Sequence, residues 1–460
     1  MRLSPIEAGS TLLLALIPVT IVRNTLRAID DPDAFWHLAG GEHILDTHVL
    51  AGPDYLGTFT ARPWVQGQWL GEVAMALAQR AAGLAGLALM TTFAAVVMFV
   101  LLYVMARPSA SPIIALTTAG VAWVAMSASL SPRPQIASFI CLAVTVMAGR
   151  GAALDGRRPP LWLVPLTWLW ACLHGFWILG PLVTAGLVLG GAVGHRSRRT
   201  VPVGMAVAAG SALAGLFTPL LWLVLAADGA VAERAALIDE WRPPTWSAPY
   251  AIAGVTLVIA ATLGLWHRKR AMPDLVLTFG AVASLVGAAR LVAVAAVLAT
   301  PPAAAGLQRL VGRAADPVRR SERPAMAVGM LIAAITAGVM APSLAAVGGA
   351  MPAALLPQLR ALPPGAVVLN DDFVGGWLYW SKLPLRPTMD TRMELYDIGY
   401  LRAYINARDG GEGWRDYVTA TRASAALLRR DAPLAQLLVR DLGWRQEADA
   451  EGFVLLEVGP

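Results

Sequence analysis

An α-helical polytopic membrane protein of about eleven spans, carrying a small soluble α/β domain at its C-terminal end, is the fold class this sequence predicts. Three observations carry that reading. Hydrophobic residues make up 57% of the chain and charged residues only 14%, with a mean hydropathy of +0.59, whereas soluble domains carry about a quarter charged residues. Apolar runs of about span length recur as far as residue 345. From about Pro352 the pattern changes, and Asp, Glu and Arg are spread through alternating strand-like and helix-like segments.

The first run, Thr11 to Val22 behind Arg2, has the outline of a signal peptide. No small-residue cleavage site follows it, so an uncleaved first span is expected. A polar loop comes next, residues 28–69, whose stretch from Asp30 to Trp69 carries Asp30, Asp31, Asp33, His37, Glu42, Asp46 and Asp54. At its end, Gln68 to Arg80 sets Trp69, Val73, Ala76, Leu77 and Arg80 against Glu72 and Gln79 at helical spacing, which fits a helix lying in the headgroup region. Further runs follow at 83–106, 112–130, 135–149, 161–173, 175–194, 200–218, 248–266, 273–289, 290–306 and 325–345. Those near His174 and Arg290 read as bent or re-entrant. Residues 1–345 are thus expected to form the membrane domain with the loop 28–69 as its functional insert, and 346–460 the soluble domain. In the latter, Val367–Asn370, Arg386–Met389, Ala425–Leu428 and Phe453–Val458 read as strands. Glu394–Ala407, Gly413–Thr421 and Ala432–Leu442 read as helices.

The net charge of +6 does not point to nucleic acid, because the basic residues sit in short clusters between apolar runs, as topology signals do. Arg150, Arg157 and Arg158; Arg196, Arg198 and Arg199; Arg268, Lys269 and Arg270; and Arg309, Arg313, Arg319, Arg320 and Arg323 mark the cytoplasmic loops. The alternate set faces outward. It contains the Asp30 to Trp69 loop, Ser131 to Gln135, His174, the 228–249 loop, Arg290 and the C-terminal domain, with the N-terminus in the cytoplasm. Arg23 and Arg27 run against this orientation, and the later loops outvote them. The two cysteines, Cys141 and Cys172, both lie in apolar runs and offer neither a disulfide framework nor a cysteine-based zinc site.

In Asp31-Pro32-Asp33-Ala34-Phe35-Trp36-His37, proline suits the first helical position and Asp31 the cap before it. A capped interfacial helix would explain that much. It would also place Asp33 and His37 four residues apart on one face, and carboxylates gathered at a membrane surface can activate a hydroxyl as general base or hold a divalent cation. His174, an ionisable residue at membrane depth, is a functional candidate by default, the bland alternative being an interfacial histidine among tryptophans. Arg133 and Arg290 fall on the outward side, against the charge rule. Binding an anion such as a lipid phosphate would account for them, as would a buried pair with an aspartate. Glu240 and Trp241 end the 228–249 loop and could supply a polar contact and a platform for a sugar ring or isoprenoid, or simply an anchor. Asn370 to Phe373, with Gly375-Gly376-Trp377, and Asp390-Thr391-Arg392 read as turns at strand ends, with a structural Asp390 to Arg392 interaction.

With these residues in view, the chain resembles the GT-C superfamily of membrane glycosyltransferases, which use polyprenyl-phosphate-linked sugars. The likeness lies in an acidic motif in the first outer loop, interfacial helices there, many spans and a C-terminal extracytoplasmic domain. It resembles in particular a group of bacterial membrane proteins sharing Asp-x-Asp-x-x-Trp-His-Leu, here Asp31 to Leu38 followed by Gly40 and Gly41. The same group shares Arg-Pro-Gln (Arg133 to Gln135), His-Gly (His174 and Gly175), Glu-Trp (Glu240 and Trp241) and Asp-x-Arg (Asp390 to Arg392). The resemblance implies an inverting transfer in a bacterial inner membrane, from a polyprenyl-phosphate-linked sugar to a lipid, glycan or protein acceptor. Asp33 would be the base, with Asp31 as rival. Arg133 and Arg290 would hold phosphate, and His37, His174, Glu240 and Trp241 would contact substrate, with Mg or Mn as a candidate cation. A transporter or flippase of a lipid-linked substrate, or a non-catalytic membrane assembly protein, are the competing classes; no inverted repeat supports the former.

Overall fold

The computed structural model describes residues 5–195, 199–265, 272–312 and 314–459. Arg2, Arg196, Arg198, Arg268, Lys269, Arg270 and Arg313, which entered the topology argument, lie outside the described residues. The chain is an α-helical polytopic membrane protein with a small C-terminal α/β domain, and it divides into two compact units. One unit comprises Met1–Arg27, Ala85–Trp222 and Ala235–Leu344; the other comprises Ala28–Leu84, Leu223–Arg234 and Ala345–Pro460. The first loop is therefore grouped with the C-terminal residues and not with the helices that flank it in sequence.

In chain order the helices up to residue 344 are α1 (Pro5–Thr25), α2 (Pro32–Thr47), α3 (Trp69–Ala106), α4 (Pro112–Met126), α5 (Gln135–Leu154), α6 (Leu163–Leu173), α7 (Leu179–His195), α8 (Val201–Leu216), α9 (Leu223–Arg234), α10 (Pro249–Leu265), α11 (Met272–Gly287), α12 (Val292–Leu310) and α13 (Glu322–Leu344). Among the described residues, six stretches are long and apolar enough to cross a membrane: Trp69–Ser109, Pro112–Ser129, Gln135–Leu154, Gly175–His195, Ala289–Leu310 and Glu322–Leu344. Leu12–Thr25, Leu163–Leu173, Val201–Leu216, Pro249–Leu265 and Met272–Gly287 are shorter apolar helices. Every apolar run read from the sequence falls on one of these. The surface helix read over 68–80 and the run at 83–106 lie together in α3, which breaks at Ala82 and Gly83; Gly83, at φ 61 and ψ −149, has a backbone that glycine adopts without steric cost.

At the centre of the helical unit is α12, whose apolar window is 89% buried. Small residues allow this, since a methyl on Gly306 would lie 1.8 Å from the Ala260 carbonyl oxygen of α10. The same unit holds two ion pairs away from water. Arg107 binds Glu322 at 2.8 Å, with the Tyr103 hydroxyl donating to that carboxylate. Arg150, read as a loop cation, is in fact buried on α5 and bound to Asp274 of α11 at 2.6 Å. A guanidinium buried there needs a carboxylate partner, so Arg150 belongs to the packing of α5 on α11 and not to the loop that follows. The interruptions read at His174 and Arg290 are short three-ten turns, Gly175–Ile178 and Ala289–Leu291, each between two helices.

In the second unit the C-terminal chain forms α14 (Leu356–Ala361), α15 (Asp372–Trp380), α16 (Ile398–Arg408), α17 (Trp414–Thr421) and α18 (Pro433–Leu442). The first loop contributes the small hairpin β1 (Ala51–Gly52) and β2 (Trp64–Val65), and the remaining strands are β3 (Val367–Asn370), β4 (Arg386–Pro387), β5 (Ala425–Arg429), β6 (Arg445–Ala450) and β7 (Phe453–Glu457). The five-stranded sheet runs β4-β3-β5-β7-β6. β3 is parallel to β4 and to β5, and β7 is antiparallel to β5 and β6. The stretch Asp372 to Trp377, read as a turn, is helical because Asp371 caps it, accepting from the Phe373 N–H. Glu394, read as the start of a helix, sits in a three-ten turn, and α16 begins later behind the Asp397 cap. The segment read as an outward loop over 228–249 includes the end of α9, whose Arg234 donates to the Tyr396 carbonyl oxygen.

Candidate active site

The acidic segment is built around α2. Asp31 is its N-cap, accepting from the Asp33 N–H at 3.0 Å, and Pro32 holds the first helical position. Gly40 and Gly41 then let α2 close onto the start of α3, since a methyl on Gly41 would lie 2.1 Å from the Glu72 carbonyl oxygen. This approach brings His37 Nδ1 to 3.1 Å from Glu72 Oε1, both side chains being buried. Gln66 donates to the other oxygen of Glu72 at 3.2 Å. With Glu72 ionised, His37 must carry its proton on Nδ1 to make this bond. The group His37 meets is therefore an internal carboxylate, and the pair fastens α2 to α3.

Asp33 is half-buried. Its Oδ1 accepts from Trp36 Nε1 at 3.1 Å and from the Thr391 hydroxyl. Beside Thr391 lies the most buried charge cluster of the unit. Arg392 donates to both oxygens of Asp54 at 2.9 and 3.1 Å and to Asp390 through Nε and Nη2 at 3.1 and 2.8 Å. Its guanidinium lies 4.3 Å from the Trp64 ring centroid, and Tyr396 donates to Asp390 at 2.9 Å. Burial alone would lower the Arg392 pKa, but Asp390 and Asp54 outweigh it and hold the group well above its ordinary value. Glu394 is the counter-case: burial pushes its carboxyl up to about 7 against the pull of Arg392, and Asp390 and Asp33 add repulsion. Asp372 is raised to about 7 as well, by burial and the neighbouring Asp371, although Tyr404 donates to it.

The acidic residues of the first loop are dispersed among separate partners. Asp30 accepts from the Ala350 N–H, Glu42 and Asp46 bind Arg80, and Asp54 binds Arg392. Among the described residues, no group of three or more His, Cys, Asp or Glu side chains converges as a metal-ligand set. Glu72, Thr391, Asp54 and Glu394 were not legible as site residues. In the sequence Glu72 reads as part of the surface helix, Thr391 as part of a turn, Glu394 as the start of a helix and Asp54 as one of the acidic stretch, while the Asp390 to Arg392 pair reads as structural.

The remaining candidates meet in the helical unit. Glu240 accepts from Arg133 at 2.7 Å and lies 3.9 Å from Arg290, so one carboxylate bridges both arginines. The Arg290 guanidinium is 5.0 Å from the Trp241 ring centroid and 5.1 Å from that of Phe176, distances suited to cation–π attraction. The Phe176 ring in turn meets the His174 ring edge-on, centroids 4.8 Å apart. His174 ends α6; its Nδ1 accepts from the Phe176 N–H at 3.2 Å and lies 2.8 Å from the Ser138 hydroxyl. Nδ1 is therefore an acceptor, and Ser138 donates to it. Arg133 and Arg290 thus share Glu240 as a carboxylate partner.

No family model matches the sequence, and none of the curated proteins does. Among solved structures, the oligosaccharyltransferase of Archaeoglobus fulgidus in its apo form aligns with a TM-score of 0.55 and 11% identity, over 92% of this chain and 69% of that one. The chain shares the fold of that oligosaccharyltransferase. The same oligosaccharyltransferase, tethered by a disulfide bond to an acceptor peptide containing an NVT sequon, aligns with a TM-score of 0.54 and 12% identity, covering 92% and 68% of the two chains. ArnT from Cupriavidus metallidurans, bound to undecaprenyl phosphate, aligns over 98% of each chain with a TM-score of 0.48 and 15% identity.

Proposed function

We propose that this protein is a membrane glycosyltransferase that moves a sugar from a polyprenyl-phosphate donor to an acceptor hydroxyl, with inversion, on the outer face of a bacterial inner membrane. The observation that carries the reading is the half-buried Asp33 carboxylate, oriented through one oxygen by Trp36 and Thr391. Further support comes from the fold, shared with an oligosaccharyltransferase captured with an acceptor peptide.

Asp33 takes the proton of the acceptor hydroxyl as that oxygen attacks the anomeric carbon. The new C–O bond forms while the bond to the phosphate oxygen breaks, and its electron pair leaves with the polyprenyl phosphate. Asp31 is occupied as a helix cap, which favours Asp33 for the base. Phosphate leaves readily as an anion, so cations matter more here than a general acid. The resemblance assigns that charge to Arg133 and Arg290 of the helical unit, where Glu240, Trp241 and His174 are grouped with them. His37, through Glu72, keeps α2 in place.

Given a polyprenyl-phosphate-linked sugar in detergent, the purified protein should release free polyprenyl phosphate only when one of a panel of lipid, glycan or peptide acceptors is present. Release without acceptor, or none with any acceptor, removes the reading; intact donor carried across a bilayer would put a transporter in its place. In the same assay, loss on chelation and recovery with Mg or Mn would establish a divalent cation.

The alternation of basic loops puts the N-terminus in the cytoplasm and the acidic loop and C-terminal domain outside. Thr47 and Glu412 are both exposed, so Thr47→Cys and Glu412→Cys should each react with an impermeant maleimide on intact cells. Reaction only after permeabilisation would reverse the orientation.

A further inference from the structure

We infer that Thr391 is a positioning residue for Asp33, so that the C-terminal domain completes the base presented by the first loop; this rests on the reading of Asp33 as the base. Thr391 leaves β4 at the carboxyl end of the parallel part of the sheet, where α/β folds gather their ligand groups. Helix α2 lies against α15 at that end, close enough that a methyl on Gly376 would come within 2.9 Å of the Pro32 carbonyl oxygen and 3.2 Å of the Trp36 ring.

The hydrogen bonds there have only one consistent direction. Trp36 Nε1 can only donate, and it reaches both Asp33 Oδ1 and Thr391 Oγ1 at 3.1 Å. An ionised Asp33 can only accept. The single Thr391 proton must therefore point at Asp33 Oδ1, which closes a triangle of donors and acceptors that holds the carboxylate in one rotation.

Thr391 is itself held on both sides. Upstream, Asn370 donates to the Met389 carbonyl oxygen at 2.7 Å and accepts from the Thr388 N–H at 2.8 Å. Downstream, the Arg392 N–H donates to Asp390 at 2.7 Å, and Arg392 is clamped between Asp390 and Asp54. The clamp fixes the Thr391 backbone, and the hydroxyl transmits that position to Asp33. Nothing in the local sequence announces this, because the partners are 358 residues apart.

The test compares Thr391→Val, which keeps the shape and loses the hydroxyl, with Thr391→Ser, which keeps the hydroxyl. Thr391→Val should lower kcat by about tenfold to a hundredfold, the size of effect expected from a slightly misplaced catalytic group. The donor KM should stay within about twofold, because a group acting only in the transition state leaves ground-state binding alone. Thr391→Ser should restore most of the rate, and in an Asp33→Asn background Thr391→Val should cause no further loss of the residual rate. Thr391→Ala serves as a second hydroxyl-free variant if valine impairs folding. Hydroxyl-free variants at wild-type kcat, serine as slow as valine, or an undiminished valine effect beside Asp33→Asn each overturn this inference alone. A wild-type protein with no transfer activity overturns the glycosyltransferase reading and this inference with it.

Discussion

Asp33→Asn is expected to lower the transfer rate by about a hundredfold to ten-thousandfold, the usual cost of losing positioned base catalysis, in a protein that still folds and binds the lipid donor. The substitution keeps an amide oxygen to accept from Trp36 Nε1 and the Thr391 hydroxyl, so the donor triangle survives. What is lost is the basic oxygen. Asp31→Asn provides the contrast, because asparagine caps a helix about as well as aspartate, and the Asp33 N–H would keep its acceptor. That variant should stay close to the wild-type rate and lose about 1 kcal/mol of stability or less. Both are read in the lipid-linked-sugar assay, with donor binding measured separately. A loss in Asp31→Asn alone would move the base to Asp31, and two variants at the wild-type rate would make the acidic segment structural.

Arg392→Met should have the largest effect on stability. It removes the cation that both Asp54 and Asp390 contact, and their side chains are 1% and 0% exposed. Stranding buried charge by deleting one partner of such a pair costs about 3–5 kcal/mol, a large part of the stability of an ordinary domain. The measurement is the unfolding midpoint of the purified protein at one fixed scan rate, since unfolding of a membrane protein need not be reversible. Adding Asp54→Asn and Asp390→Asn to the same chain should recover part of the loss, as the repelling charges are then gone. An Arg392→Met midpoint equal to wild type would mean that the cluster contributes nothing to holding the first loop against the C-terminal chain.

The features that were legible in the sequence depend on neighbours along the chain. Hydropathy located the apolar helices, Asp31-Pro32 announced the start of α2, and the apolar stretches at Val367, Ala425 and Phe453 became β3, β5 and β7. Strand β6 was missed because Arg445 to Ala450 carries charge at every other position and exposes most of its length, so no buried face marks it. Helix α15 was hidden by Gly375 and Gly376, poor helix formers that are required there by the close approach of Met389 and Pro32. The site followed the same division. Asp33 and the Arg133, Glu240, Trp241 and Arg290 group could be read from local motifs, whereas Glu72 opposite His37 and Thr391 opposite Asp33 are consequences of tertiary folding. A buried arginine and a loop arginine also look alike in a sequence, and only the Asp274 carboxylate beside it distinguishes Arg150 from a loop cation.

The two margins of the C-terminal sheet bear on how copies of this protein share a membrane. An open strand margin is a template for strands from other molecules, and proteins confined to a bilayer meet one another often. Here one margin is β4, only two residues long and ending in Pro387, which has no N–H to offer. The other is β6, bearing Arg445, Glu447 and Asp449 and broken in register between Gln446 and Ala448. Both margins are therefore poor templates for a continuous ladder with a neighbouring copy, which disfavours edge-to-edge pairing when copies crowd in the plane of the membrane.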